Sequence, residues 1–392
     1  MNTGFHTLAG RLRLHPRRVL GSNLQSTRQA LARRVAAGCP AEALPARLAS
    51  LFNLCGQAHR LCSSLALGEL APELSPLFQT NSETVRDRLE TETLCEHVRR
   101  IGLDWPRAAS GSHGEHLLAT LAGCPLLDPA FTRRRHGEAA LAWLEERWLG
   151  MRATAWLHEW EHDGGEALTR WAQGDRTPLA GLLQALRTFD SAPVPAAVPP
   201  LYPPVDEVDA RLWLARVQAC ADYTGLPQQE GRPCHTGSWS RVNMSAIPGA
   251  STPWVLLGCR LAETVRLCLG QESEAAVLAW GAHALPDGWA LGWAEMARGV
   301  LVHLVRLRGG ETGQVVERCE VVAPTEWNFH PRGVAAQALA TIAEEGGQEM
   351  PGRIALMMTA LDPCVDYDIE WSVDNGGMMS DKEPRVEGGA HA

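Results

Sequence analysis

The chain has 392 residues, which is enough for one large domain or two smaller ones with a sizeable core. Its 36 basic and 45 acidic residues give a net charge of −9, spread along the sequence, which argues against nucleic acid or an anionic membrane as the main partner. No apolar run of about 18 residues is present, and the N-terminus lacks the apolar stretch of a secretory signal. Eleven scattered cysteines without any C-x-x-C pair argue against a disulfide framework or a zinc ribbon. We therefore expect a cytoplasmic protein.

The first half of the chain is predicted to be mainly helical. A weakly alternating stretch, 5–14, predicts a strand. Helices are predicted over 24–69 and 82–103, the second beginning at a polar cap near Ser82. The longest periodic segment is 137–162, and we expect one of its faces to be apolar. That face is predicted to contain Leu141, Leu144, Trp148, Met151 and Ala155.

A proline-rich stretch near residues 190–208 separates this half from a second one that contains strands. Helices are predicted over 207–225 and 253–269, and later over 334–345 and 351–361. Between these pairs, 299–322 has β-branched runs on either side of RGGETG, which predicts a β-hairpin. The sequence thus predicts an α+β fold in which helix predominates.

The domain organisation follows from these elements. We expect one large composite domain made of an N-terminal half (1–190), a proline-rich connection (191–206) and a C-terminal half (207–371). The polar, glycine-containing tail (372–392) is predicted to be disordered.

Two cysteine motifs are the first candidates for chemistry. Residues 55–62 read CGQAHRLC and residues 362–370 read DPCVDYDIE. Each motif alone is weak, because a cysteine in a helix is commonly a small buried apolar residue.

Together with three further landmarks, the motifs resemble the large subunit of nickel–iron hydrogenases. Residues 55–62 resemble its R-x-C-G-x-C-x-x-x-H signature, and 362–370 its D-P-C-x-x-C-x-x-H signature. Between them, in the family's order, 236–241 (TGSWSR), 295–303 (EMARGVLVH) and 322–328 (VAPTEWN) resemble T-G-P-L-A-R, E-A-P-R-G-x-L-x-H and V-P-T-T-W-N. The match extends from near the start of the chain to Glu370 and is poor over 110–230. The resemblance implies a hydrogenase-like fold in which the two signatures meet.

The departures from the family's pattern determine the expected function. In the family, each C-x-x-C pair supplies a nickel thiolate and a bridging thiolate. Here Cys55 and Cys364 retain the first position of each pair, whereas Ala58 and Tyr367 occupy the second. Cys62 is a possible third ligand. Nickel in such a site needs several soft anionic sulfurs, so we expect no nickel. The family's closing histidine is replaced by Glu370, and the maturation protease would find no matching cleavage site.

What remains corresponds to the half of the site that faces iron. The resemblance implies that Cys55 and Cys364 hold an iron unit with cyanide and carbon monoxide ligands, Fe(CN)2(CO), transiently. It implies that Arg298 and Thr325 donate hydrogen bonds to the cyanides and that Asp362 orients Arg298. This pattern resembles the HupK/HoxV group of hydrogenase maturation proteins. Membership implies a non-catalytic scaffold whose partners are a large-subunit precursor and a small iron-loading chaperone of the Hyp machinery.

Two alternatives belong to other functional classes. One is a catalytic hydrogenase large subunit with divergent ligands, which would require nickel. The other is a zinc metalloprotease, because His158, Glu159 and His162 fit H-E-x-x-H on a predicted helix. Glu161 introduces a charge where such proteases have uncharged residues, and both histidines continue the predicted apolar stripe. The simpler interpretation is that they are buried or edge histidines.

Overall fold

Two β-sheets and a large set of helices make up the computed structural model, which describes residues 10–75, 77, 81–109, 112–190, 198–241, 252–270, 277–310 and 313–371. Helices predominate, and the predicted α+β class is confirmed. The strands are β1 (Leu12–Leu14), β2 (Leu24–Ser26), β3 (Trp280–Leu285), β4 (Trp289–Met296), β5 (Gly299–Gly310), β6 (Gly313–Val322) and β7 (Tyr367–Ile369).

The helices are distributed over the whole described chain. They are α1 (Leu31–Ala36), α2 (Leu44–Leu51), α3 (Gly56–Leu70), α4 (Ser82–Arg99), α5 (Trp105–Ala108), α6 (His113–Thr120), α7 (Arg133–Leu144), α8 (Ala153–Asp163), α9 (Gly165–Gln173), α10 (Pro178–Leu186), α11 (Glu207–Ala219), α12 (Ser238–Arg241), α13 (Pro253–Leu269), α14 (Pro324–Asn328), α15 (Val334–Glu345) and α16 (Met350–Leu361). None of the described helices is both long enough and apolar enough to span a bilayer.

The smaller sheet joins the two ends of the described chain. Its order is β2-β1-β7, with β1 antiparallel to β2 and parallel to β7. Leu12 pairs with Tyr367, and Leu14 pairs with Ile369. The leucines of β1 are fully buried, so this pairing is anchored in the core. The segment that contains Cys364 therefore lies beside the N-terminal strands.

The larger sheet is antiparallel, in the order β3-β4-β5-β6, and α3 packs on it. The contact is so close that a Cβ atom at Gly292 in β4 would overlap the Cys62 carbonyl oxygen in α3. Only glycine fits there without a backbone shift. This packing fixes the position of α3, and with it the position of Cys55 at its N-terminal end.

Several predicted elements are confirmed. Helix α13 and helix α15 have the predicted bounds, and 299–322 forms the predicted hairpin as β5 and β6. The helix predicted over 82–103 is also present: α4 continues into a wider π-helical turn at Arg100–Asp104. These segments are long and strongly patterned, so local preference and tertiary packing agree.

Other predictions are wrong in part. The stretch predicted as helical from residue 24 begins with strand β2 and is then divided among α1, α2 and α3. The 137–162 segment is two helices, because Gly150 adopts a left-handed conformation (φ 66°) after the π-helical turn Glu145–Leu149. This break rotates the second helix, so that Ala155 is exposed and Trp156 is buried instead. Helix α11 ends at Ala219, short of the predicted 225.

Some predictions lie partly or wholly outside the described residues. They concern the start of the strand over 5–14, most of the proline-rich connection and the tail after residue 371. Within the described part of the connection, Pro200 forms an isolated bridge with His235. The division into an N-terminal half, a connection and a C-terminal half stays a prediction.

Candidate functional site

Cys55 lies at the N-terminal end of α3, directly after a short 3-10 turn, Asn53–Cys55. Its side chain is half-buried. The helix can begin immediately after it because Gly56 lies against the Ala49 carbonyl of α2, where a Cβ atom would come within 2.9 Å of that oxygen. The turn therefore holds Cys55 beside the first backbone N–H groups of α3, which have no carbonyl partner within the helix.

A carboxylate lies beside Cys55. Glu92 of α4 accepts hydrogen bonds from the backbone N–H groups of Gln57 (2.7 Å) and Ala58 (2.9 Å), which caps α3. Burial raises the pKa of Glu92 to about 7 although these two donors oppose the change. Burial, followed by the nearby Glu92 charge, also raises the pKa of the Cys55 thiol well above its usual range. The surroundings of Cys55 thus favour a neutral thiol.

Cys364 lies beside hydrogen-bond donors, whereas Cys55 lies beside a carboxylate. Its sulfur accepts a hydrogen bond from the Thr325 hydroxyl (3.1 Å) and another from the Arg28 guanidinium (2.9 Å). Thr325 is buried at the start of α14. Arg28 follows strand β2, and Cys364 precedes β7, so the small sheet brings the two residues together. The sulfur thus has a hydroxyl and a guanidinium as its hydrogen-bond donors.

Arg298 faces both cysteines. It lies in the tight turn between β4 and β5, where Met296 pairs with Gly299. The Arg298 charge lowers the pKa of Cys55, and the Cys364 sulfur raises that same pKa. Both sulfurs in turn raise the pKa of Arg298, alongside the larger effects of two carboxylates. The structure thus brings Cys55, Cys364 and Arg298 into one site, although the cysteines come from opposite ends of the chain.

Two nitrogens of the Arg298 guanidinium, Nε and Nη1, have no hydrogen-bond partner among the described residues. Its Nη2 donates to Glu96 of α4 (2.5 Å), and its Nε lies 3.4 Å from Asp362 Oδ2. Its Nη1 is buried and has no hydrogen-bond partner among the described residues. A buried guanidinium N–H without a partner is costly, and this one can bind an anionic acceptor.

Asp362 connects this arginine to the rest of the interior. It caps α16 in a left-handed conformation (φ 50°) and is followed by Pro363 and Cys364. Its carboxylate also contacts Arg100 Nε (3.1 Å) and Arg260 Nη1 (2.9 Å). Burial alone would raise the pKa of Asp362, but the three guanidinium groups hold it well below its usual range. Asp362 therefore forms ion pairs with three arginines, Arg298 among them, directly before the Cys364 segment.

The positions of the missing thiolates are occupied by groups of another kind. Ala58 is fully buried in α3, and Tyr367 is half-buried in β7, where burial raises the pKa of its phenol to about 12. Cys62 is fully buried, and its sulfur lies 3.7 Å from the Leu301 carbonyl oxygen of β5. No three His, Cys, Asp or Glu side chains among the described residues are grouped so that they could hold a metal ion. The described site thus offers a pair of thiols, not a four-thiolate sphere.

The H-E-x-x-H motif lies elsewhere, on α8. His158, Glu159 and His162 are exposed there, and the side chain of His162 is 76% accessible. The expectation that the histidines continue a buried stripe is wrong, because the break at Gly150 shifts the buried face to Trp156 and Trp160. His162 contacts Asp163 (2.5 Å), its neighbour in sequence. The motif therefore lies on a solvent-facing helix surface.

Sequence motifs did not identify several residues of the site. Arg28, Glu92 and Arg260 lie outside the quoted motifs, and each contacts a predicted site residue or a residue of its motif. Their contacts depend on long-range packing, which single-sequence patterns do not contain.

Comparisons with known proteins find similar proteins over almost the whole chain. The chain is 37% identical over 94% of its length to the hydrogenase expression/formation protein HoxV of Cupriavidus necator, and covers 97% of that protein. It is 28% identical over 86% of its length to HupK of Rhizobium leguminosarum bv. viciae, covering 88% of it, and 26% identical over 93% to HupK of Azotobacter vinelandii, covering 99% of it. No protein-family model matches the chain.

A solved structure shows the fold. A chain of an NAD+-reducing [NiFe]-hydrogenase in the H2-reduced state superposes with a TM-score of 0.51 at 16% identity. The alignment covers 87% of this chain and 91% of that chain. The predicted hydrogenase-like fold is confirmed.

Proposed function

Because the chain belongs to the HoxV/HupK family of hydrogenase expression/formation proteins, we propose that it carries the Fe(CN)2(CO) unit during assembly of a nickel–iron hydrogenase. The observation that supports this proposal most strongly is the convergence of two thiols beside a buried cation. The sulfurs of Cys55 and Cys364 both raise the pKa of Arg298, and Nη1 of that arginine is buried without a hydrogen-bond partner. This arrangement fits an anionic, thiolate-bound cargo.

The proposed roles follow from the chemistry of each group. Cys55 and Cys364 bind the iron as soft thiolate ligands. Arg298 donates its free N–H to one cyanide nitrogen, a charge-assisted hydrogen bond in a water-poor interior. Thr325 supplies a hydroxyl on the Cys364 side of the site. Asp362 and Glu96 keep the guanidinium in place through their ion pairs with it.

The same site is a poor one for nickel. Ala58 and Tyr367 replace the thiolates that would bridge two metals, and Cys62 is directed toward the Leu301 carbonyl oxygen. A pair of thiolates holds a metal less firmly than four do, which suits a carrier that must release its cargo. We therefore propose a cytoplasmic scaffold without turnover of its own. It receives the iron unit from a small iron-loading chaperone of the Hyp machinery and passes it to the large-subunit precursor.

Replacing each cysteine tests this proposal. Cys55→Ala and Cys364→Ala should each abolish hydrogenase activity in the host and remove iron from the purified protein, because one thiolate cannot retain the unit. Metal analysis and hydrogenase assays measure both effects. Cys220→Ala, which changes an exposed cysteine, is the matched control and should change neither.

Two results would count against the proposal. Full hydrogenase maturation by the Cys55 and Cys364 variants would leave the chain a passive partner without a metal role. One nickel per chain together with hydrogen uptake would favour a catalytic subunit with divergent ligands.

A further inference from the structure

The Cys364 sulfur faces a guanidinium that belongs to none of the sequence motifs. Arg28 Nη1 donates to the sulfur (2.9 Å), and Arg28 Nε donates to Glu326 Oε1 (2.7 Å). Both side chains of the ion pair are largely buried, at 15% and 13% exposure. Burial alone would lower the pKa of Arg28, but the Cys364 sulfur and the Glu326 carboxylate raise it well above its usual range. Arg28 is thus a fixed cation in direct contact with Cys364.

A surface groove reaches this cation. The groove is lined by residues from the segment that leads into α1, by Phe52, and by the end of β6. Arg28 and Glu326 both line it, whereas Cys364 does not. Arg28 therefore contacts both the groove and the Cys364 sulfur. A cargo that approached Cys364 from the groove would meet this positive charge first.

A second ion pair in the same groove provides a comparison. Arg33 of α1 donates a hydrogen bond to Glu320 of β6 (2.8 Å), and Arg33 and Glu320 both line the groove. This pair is of the same kind as the pair of Arg28 with Glu326. The hydrogen bonds of Arg33 go to Glu320 and to the Ala221 carbonyl, not to a cysteine. The two arginines therefore share the groove and the kind of partner but differ in their contact with Cys364.

The effect of Arg28 on binding depends on the net charge of the cargo once it is bound to the two thiolates. When two thiols bind a bare divalent cation, two protons leave, and the product carries no net charge. When the same two thiols bind iron(II) that already carries two cyanides and carbon monoxide, two protons leave again, but the product carries two negative charges. A fixed cation at the sulfur stabilises the second product and has little effect on the first.

We infer that Arg28, oriented by Glu326, makes the Cys364 side of the site selective for an anionic, cyanide-bearing metal unit over a bare divalent cation. This inference rests on the proposed carrier function and deepens it. Arg28 is a positioning and specificity-determining residue that acts on the cargo through its charge.

The selectivity can be measured on the metal-free protein with two alkylating reagents. Iodoacetate is anionic and iodoacetamide is neutral. Both replace iodide by attack of the same thiolate, so the ratio of their rates at Cys364 cancels the fraction of thiolate and reports the local charge. Peptide mass spectrometry follows Cys364, and the exposed Cys220 in the same digest is the internal reference.

Substitutions of Arg28 and Glu326 should change the ratio of the two rates at Cys364 in opposite directions. Arg28→Gln should lower the iodoacetate-to-iodoacetamide ratio at Cys364 by about 3- to 10-fold, the size expected for one charge beside a half-buried group. Arg28→Lys should retain most of the ratio. Glu326→Gln should raise it, because the guanidinium then lacks its counter-charge. Arg33→Gln is the matched control and should leave it unchanged.

Two outcomes would overturn the inference: an unchanged ratio in Arg28→Gln, or a ratio in Arg28→Lys as low as in Arg28→Gln. A Co2+ titration of the same proteins is the second measurement. It should give affinities for wild type and Arg28→Gln within about threefold of each other, since the neutral product does not depend on the cation. A tenfold gain or loss of Co2+ affinity would also overturn it. Wild-type protein that never carries cyanide-bearing iron, but shows the predicted ratios, would refute the carrier function alone.

Discussion

The two cysteines of the site occupy equivalent places in their motifs but lie in opposite electrostatic surroundings. Cys364 accepts hydrogen bonds from a hydroxyl and a guanidinium. Cys55 lies beside the Glu92 carboxylate at the start of α3, and burial and that charge raise the pKa of its thiol. The difference shows that equivalent motif positions do not imply equivalent ligands, because the neighbours of each sulfur come from distant parts of the chain.

The comparison separates two sides of the site. On one side, the Cys364 sulfur accepts hydrogen bonds from Thr325 and Arg28. On the other side, the Cys55 thiol is buried near the Glu92 carboxylate, and both burial and that charge raise its pKa. Arg298 is common to both sides and joins them. The predictions below change the anchor of the Cys364 side, then the shared arginine, and then a motif far from both.

The largest effect on the fold is expected from Asp362→Asn. This change removes the carboxylate charge that three buried guanidinium groups share, which should lower the free energy of unfolding by about 3–5 kcal/mol. Urea unfolding measures the loss. The matched control is Asp368→Asn, which breaks a surface pair with Arg11 and should cost about 1 kcal/mol or less.

The same variant has a pH signature. Because the pKa of Asp362 is lowered in the folded state, its contribution to stability is complete above its unfolded pKa of about 3.9 and is lost as pH falls toward the folded value. Wild type should therefore lose stability below about pH 4 more steeply than Asp362→Asn. Equal slopes in urea unfolding from pH 5 to pH 2 would contradict the role of Asp362 as a buried anion.

Arg298→Lys should affect the cargo more than the fold. Lysine keeps the charge between Glu96 and Asp362 but lacks the planar fork and the free Nη1. Retention of iron should fall about 10- to 100-fold, the range for groups that support a metal ligand. Iron content after dialysis measures it. Arg266→Lys, which changes the ion pair between Arg266 of α13 and Glu161 of α8, is the control and should retain all the iron. Unchanged retention in Arg298→Lys would remove this arginine from the cargo site.

The smallest effect is expected from the double change His158→Gln and His162→Gln. Both side chains are exposed on α8, so the free energy of unfolding should change by about 0.5 kcal/mol or less and iron content should not change. Thermal unfolding and metal analysis test this. If the double variant lost bound zinc together with a peptidase activity, the H-E-x-x-H motif would be functional.

Much of the fold was predictable where local pattern and packing agree. Helix α13 and the β5–β6 hairpin have the predicted bounds because their sequences are long and strongly periodic or β-branched. Strand β2 was missed because three residues carry too little pattern, and its partner β1 is supplied by tertiary structure. The break at Gly150 was missed because a helical pattern does not show which glycine takes a positive φ.

The candidate site was predictable only through family resemblance. That resemblance identified Cys55, Cys364, Arg298, Thr325 and Asp362, which the structure brings together. It gave no indication of Arg28 or Glu92, whose contacts depend on how strand β2 and helix α4 pack against the two cysteine segments. These two residues create the asymmetry between the thiols. Their metal-related roles stay predictions.

Infrared spectroscopy tests the central claim most directly, because bound cyanide and carbon monoxide absorb where proteins do not. The protein should be isolated from cells that contain the hydrogenase maturation machinery, alongside Cys55→Ala, Cys364→Ala and the Cys220→Ala control. We predict cyanide and carbonyl bands in wild type and in the control, and none in either variant of the site. Bands that persist in both site variants, or that are absent from wild type with intact maturation machinery, would contradict the claim that Cys55 and Cys364 hold the iron unit.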